Sequence, residues 1–173
     1  MKTHIFIKDQ IKDLKNFNDV QKIFNELASF MQTKDVFEAI NRTHKIGAKS
    51  TEIQEILNSK LLELGFKSEK KGLFKQYSSS NLRPDFYKKI SENDGVIIEV
   101  ERGKTLDNNM DLLDIWKCHI CKEANYLFLI IPEFKTNLRG TQQKIYERTL
   151  KRISTFFDEQ NYINVNAVFL VGY

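Results

Sequence analysis

The sequence predicts a mixed α/β fold, a single β-sheet flanked by helices on both faces, with an N-terminal helical segment. Three observations predict it. The hydrophobic period changes along the chain, from helical stripes before Gly65 to short strand-like runs between residues 72 and 102. Tyr126–Ile131 is almost wholly apolar and closed by Pro132, the pattern of a strand buried on both faces and parallel to its neighbours. The elements then follow in the order α-β-β-β-α-β-α-β, which a mixed sheet between two helical layers accommodates.

A short strand is expected over residues 4–8. Residues 18–31 form an amphipathic helix, with Val20, Ile23, Phe24, Leu27, Phe30 and Met31 on one stripe. Lys34–Thr43 reads as a further short helix. The next helix spans 51–64: Thr51-Glu-Ile-Gln54 has the form of a capping box, Ile53, Ile56, Leu57, Leu61 and Leu64 make the buried stripe, and Gly65 suits the C′ position. Residues 72–78, 83–90 and 95–102 read as three strands of an antiparallel meander. Residues 108–123 form a helix whose Leu112, Leu113, Trp116 and Ile120 are expected to face inward. After the Tyr126–Ile131 strand, a helix is expected over 141–159, with Ile145, Leu150, Ile153, Phe156 and Phe157 toward the core, and a last strand over 165–171.

At 173 residues the chain fits one domain, of a size that hides roughly two-thirds of its unfolded surface. Its 41% hydrophobic and 29% charged content is globular, and the net charge of +4 permits a nucleic-acid partner without demanding one. No apolar stretch reaches bilayer-spanning length and residues 1–11 lack a signal-peptide core, so a cytoplasmic protein with no membrane partner is expected. Cys118 and Cys121 lack a second metal-binding pair and read as reduced helical thiols.

Three carboxylates stand apart from this background: Asp85 in Arg83-Pro-Asp-Phe86, and Glu99 and Glu101 in Gly95-Val-Ile-Ile-Glu-Val-Glu-Arg-Gly-Lys104. Val96, Ile97, Ile98 and Val100 make the second segment a buried strand, and burying an unpaired charge is very costly. Glu99 and Glu101, two positions apart, leave a strand by the same face. Asp85 is far enough upstream to come from the adjacent antiparallel strand. Together they offer a hard, oxygen-rich site suited to magnesium or manganese. The plainer reading makes Asp85 a turn residue and sets Glu99 and Glu101 on the solvent face of an edge strand, paired with Lys88 or Arg102. Against it, the Val/Ile run shows no alternating polar face before Glu99.

The element order, with Pro84-Asp85 followed by Glu99-Val100-Glu101, resembles the PD-(D/E)XK nuclease superfamily of restriction endonucleases, junction resolvases and repair nucleases. The resemblance covers residues 51–173, a core of 50–173 to which 1–49 is a helical addition. It implies a restriction-endonuclease-like fold and magnesium-dependent hydrolysis of phosphodiesters in double-stranded DNA. Asp85, Glu99 and the Val100 backbone carbonyl would bind the ion, and Glu101 would orient or deprotonate water while touching the metal. Glu101 departs from the family, which usually has Lys there; one class of restriction enzymes carries Glu or Gln instead. A type II restriction enzyme, acting as a homodimer on a palindromic site beside a companion DNA methyltransferase, is the specific expectation. A junction or repair nuclease, and a non-catalytic DNA-binding or protein-interaction module, are the alternatives.

Other groups carry paired readings. Lys117 either reaches the scissile phosphate from the helix after the catalytic strand or forms an exposed ion pair with Asp114. Glu52, like Glu55, is either an additional catalytic acid or part of a solvated helix N-terminus. Arg102, Lys104, Asn108 and Asn109 hold the DNA backbone or are solvated loop residues. Lys70 and Lys71, at the tip of the first hairpin, are placed to touch DNA.

Overall fold

The computed structural model describes residues 1–12, 14–47, 49–68, 83–102, 105–159 and 161–173. The strand expected over 72–78, and Lys70, Lys71 and Lys104, lie outside them. Among the described residues the chain forms β1 (Lys2–Ile7), α1 (Lys15–Gln32), α2 (Lys34–Thr43), α3 (Ser50–Glu63), β2 (Lys67–Ser68), β3 (Phe86–Lys89) and β4 (Gly95–Val100). These are followed by α4 (Met110–Ile120), β5 (Tyr126–Ile131), β6 (Phe134–Thr136), β7 (Gln142–Lys144), α5 (Ile145–Ser154) and β8 (Ala167–Gly172). Six strands make one mixed sheet in the order β1-β8-β5-β4-β3-β2. β4, β5 and β8 run parallel, while β1, β3 and β2 add antiparallel edges.

Alternation along the central strands divides the core in two. Val96, Ile98, Val100, Phe128, Ile130 and Phe169 face α1, α2 and α3, where Phe24 meets Phe128 and Phe169 with ring centroids 5.4 and 4.8 Å apart. Ile97, Leu127, Leu129, Val168 and Leu170 face α4 and α5. β5 is buried at every position between β4 and β8, as an apolar run with no polar face requires. The N-terminal segment is more than a helical addition. β1 pairs with β8 within the main sheet, and Phe17, Val20, Phe24, Leu27 and Met31 of α1 fill the first core. No helix among the described residues is long and apolar enough to cross a membrane.

Gly65 ends α3 as the sequence predicts. It takes φ +84° and donates to the Leu62 carbonyl, while the Phe66 amide reaches Leu61, closing a Schellman turn. The capping box does not form: the helix starts at Ser50, and Lys49 at the N-cap makes no side-chain cap.

Two expectations fail for identifiable reasons. The helix predicted over 141–159 begins only at Ile145, because residues 134–144 form the β6–β7 hairpin, closed through the Asn137 amide and the Thr141 carbonyl. The other failure concerns the face of α4. Its buried stripe is Asp111, Asp114, Ile115 and Cys118, whereas Leu113 and Trp116 are 44% and 47% exposed. Ile120 packs against the second core and Leu112 is half-buried as expected, but Leu113 and Trp116 turn outward because the two N-terminal turns bury Asp111 and Asp114 instead.

Gly95 starts β4 where the chains approach too closely for any side chain. A Cβ there would lie 2.2 Å from the Glu123 carbonyl oxygen and 2.6 Å from the Tyr87 ring. Gly95→Ala is therefore expected to lower stability by about 2 kcal/mol, the cost of overpacking a tight core, read as a reduced urea midpoint at unchanged slope. A midpoint equal to wild type would mean the backbones are not held this close.

Candidate metal centre

The β3–β4 ladder runs from Lys89↔Gly95 to Phe86↔Ile98, so Asp85 is the next residue of β3 and comes opposite Glu99. There the Asp85 side chain takes over from the backbone and accepts the Val100 amide at 2.7 Å. Pro84, which has no N–H, precedes it. A residue's N–H and C=O leave a strand by the same edge, so the Val100 carbonyl is directed to the Asp85 side. Glu99 continues the Ile97 face of the strand toward α4 and is 3% exposed. Glu101 follows on that face, its amide bonded to the Ile130 carbonyl at 2.8 Å and its own carbonyl accepting the Tyr173 hydroxyl at 3.1 Å.

The edge-strand reading of these acids fails. β4 lies between β5 and β3, and Lys88 donates instead to the Leu64 carbonyl at 2.7 Å. Lys117 is the basic group that Glu99 meets, at 3.0 Å. The same ammonium lies 3.1 Å from Asp114, outside hydrogen-bonding alignment. Neither partner is a surface group, for the Lys117 and Asp114 side chains are 14% and 0% exposed. The exposed Asp114–Lys117 pair is thus replaced by a buried bridge to Glu99 of β4.

Sequence reading missed Asp111 and Arg152. Asp111 is buried and lies 3.3 Å from Arg152, which also donates to Asn109 at 2.7 Å. The signal was available in Asp111-x-x-Asp114-x-x-Lys117, a spacing of three that puts neighbouring turns on one helix face. Asn108 and Asn109 adopt left-handed backbone conformations, φ 61° and 57°, and turn the chain into α4. Glu52 is exposed in the first turn of α3, in the layer on the other face of the sheet, so the structure does not bring it to this cluster. Arg102 is buried at 9% exposure rather than solvated.

Five carboxyl groups, Asp85, Glu99, Glu101, Asp111 and Asp114, thus act on one another against Lys117 and Arg152. Burial, then Asp114 and Asp85, holds the Glu99 carboxyl well above its usual range in spite of Lys117. Burial, then Asp114 and Asp85, pushes Glu101 up to about 8. Burial raises Asp114 to about 6 against the pull of Lys117. Burial alone would lower the Lys117 ammonium, but Glu99 and Asp114 outweigh it and raise it. The donor set is all oxygen, and its surplus of acid fits a hard divalent cation such as Mg2+ or Mn2+. Asp85, Glu99, the Val100 carbonyl and Glu101 are the groups that would hold one. Among the described residues, no three His, Cys, Asp or Glu side chains are gathered closely enough to ligate one ion in this arrangement, in which Lys117 bridges two of the acids.

Two consequences are measurable. Lys117→Met strands Glu99 and Asp114 without their cation and is expected to cost about 3 kcal/mol at neutral pH, with the deficit shrinking toward pH 5 as the acids take up protons; urea titrations at the two pH values read it. The second concerns Glu101. The folded protein keeps the Glu101 proton up to about pH 8, while a glutamate of ordinary pKa loses it near 4.5. Its contribution is therefore complete below about 4.5 and is lost as pH rises through about 8. Glu101→Gln should match the wild-type Tm near the lower pH and exceed it above the higher one; parallel Tm curves would refute the shift. Comparison of the chain with protein-family models, with curated proteins and with solved structures finds no match.

Proposed function

We propose that this protein is a divalent-metal-dependent DNA endonuclease working at the exit of β4. One observation carries the reading: the oxygen-rich group of Asp85, Glu99 and Glu101 lies at the end of a central parallel strand, and the Lys117 ammonium is 3.0 Å from Glu99. The lysine that the strand lacks at position 101 is thereby supplied from α4. Such sheets bind ligands outside the carboxyl ends of their strands, and a buried cluster of raised carboxyl groups is a recurrent mark of a catalytic site.

In this reading Asp85, Glu99, the Val100 carbonyl and Glu101 hold magnesium or manganese. The ion, when bound, polarises a phosphoryl oxygen and lowers the pKa of water. Glu101 releases its proton to solvent when the cation binds, and the resulting carboxylate orients the attacking water and accepts the water's proton. Lys117 exchanges part of its contact with Glu99 for a non-bridging phosphate oxygen, and Asp114 keeps the ammonium in the site. Site-specific cutting by a homodimer, in the manner of a type II restriction enzyme with a companion methyltransferase, is the particular form we assign, with double-stranded DNA as substrate.

The Lys117 bridge also favours a second reading, a non-catalytic DNA-binding module, because the ammonium already offsets two of the acids. Cutting of mixed-sequence duplex DNA with magnesium, compared among wild type, Asp85→Ala and Glu99→Ala, separates the two. The endonuclease reading expects discrete fragments from wild type and none from either variant, and undiminished cutting by a variant sinks the assignment. Calorimetric uptake of Mn2+ by wild type but not by Glu99→Ala is expected alongside; DNA binding without metal uptake selects the module. Cutting confined to four-way junctions would assign a resolving role instead.

A further inference from the structure

A concave surface opens between the turn at residues 44–47 and the β6–β7 hairpin, a cleft of about 880 Å³. Lys45, Arg102, Lys135 and Arg139 line it, with Ile46 and Leu138, and no Asp or Glu is among its described lining residues. The hairpin is braced from both sides of the sheet. His44 Nε2 lies 2.8 Å from the Phe134 carbonyl oxygen, and Lys135 pairs with Asp107, just before α4, at 2.6 Å.

The hairpin tip is equally fixed. The Asn137 side-chain oxygen accepts the amides of Arg139 and Thr141, both at 2.9 Å, and Gly140 supplies the positive φ that the turn requires. Leu138, 89% exposed, and Arg139 are therefore presented outward by a built turn. Arg102, the residue after Glu101, brings charge to the cleft from a buried position. Lys45 and Arg139 stand exposed at the cleft's two rims, and a polyanion that pairs with such cations releases its own counterions.

We propose that this cleft seats the sugar–phosphate backbone of duplex DNA. Lys45 and Arg139 pair with phosphates at its two rims, Arg102 charges its interior, and Ile46 and Leu138 lie against sugars and base edges. The choice of DNA as the polyanion rests on the endonuclease reading. Arg102, which lines the cleft and follows Glu101 directly in the chain, links a strand seated there to the end of β4.

The test is fluorescence anisotropy with a labelled duplex of about 20 base pairs, in EDTA so that nothing is cut, over a series of salt concentrations. The Lys45→Glu/Arg139→Glu protein alters two exposed rim positions and leaves the sheet intact. Lys22→Glu/Lys34→Glu, on α1 and α2 away from the cleft, matches its change in net charge. The rim variant is expected to bind at least about tenfold more weakly near 100 mM salt and to flatten the salt slope by about two, one for each lost phosphate contact. The control should lose less than about threefold. Equal losses in both proteins, an unchanged rim variant, or a wild type that binds no duplex would each overturn the cleft assignment. The two readings fail separately: wild type that binds in EDTA yet never cuts with magnesium removes the endonuclease and leaves the cleft, whereas cutting by a rim variant that binds normally does the reverse.

Discussion

Lys117 lies 3.0 Å from Glu99 and 3.1 Å from Asp114, and this bridge determines how α4 rests on the sheet. Burying three charges in a row is tolerable only when they offset one another. Without the ammonium, the turn of α4 that carries Asp114 would have to leave the core, and the larger apolar side chains of the helix would compete for that face. With it, Asp111, Asp114, Ile115 and Cys118 go inward, and Leu113 and Trp116 go out. The orientation of a whole helix thus follows from satisfying the charge at the end of β4.

The sheet delivers its groups to one edge. β4, β5 and β8 run parallel, so their carboxyl ends lie together, and both the acids and the β6–β7 hairpin stand at that edge. The antiparallel partner β3 contributes Asp85 by stopping one residue short of it: the side chain captures the Val100 amide that continued backbone pairing would otherwise have used. A single departure from regular sheet geometry thereby places a carboxylate beside Glu99 and leaves the Val100 amide satisfied.

Much of the fold was legible because its strongest signals are periodic. The Tyr126–Ile131 run has only one comfortable environment, and both α2 and β5 have the boundaries that the pattern gave. Gly65 was readable as a helix stop because a positive φ is cheap only for glycine. The β6–β7 hairpin was not legible: Gln142, Gln143 and Lys144 carry no apolar strand pattern, and they are held by pairing with Phe134–Thr136, a strand itself braced by His44 and Asp107. At the candidate centre, Asp85, Glu99 and Glu101 were picked out by their context in apolar sequence. Asp111 and Arg152 were missed, since an acid on a helix normally signals a solvated face, and only the buried counter-charge reverses that rule.

The outward turn of α4 also governs how this protein will look to a spectroscopist. Trp116 is the sole tryptophan in the chain, and nearly half of it already meets water in the native fold. Indole emission will consequently shift little when the chain unravels, so denaturation is better followed by far-ultraviolet dichroism. The same indole becomes a clean optical beacon for anything that covers α4 from outside, because shielding it from solvent moves its emission to the blue against a background free of other tryptophans.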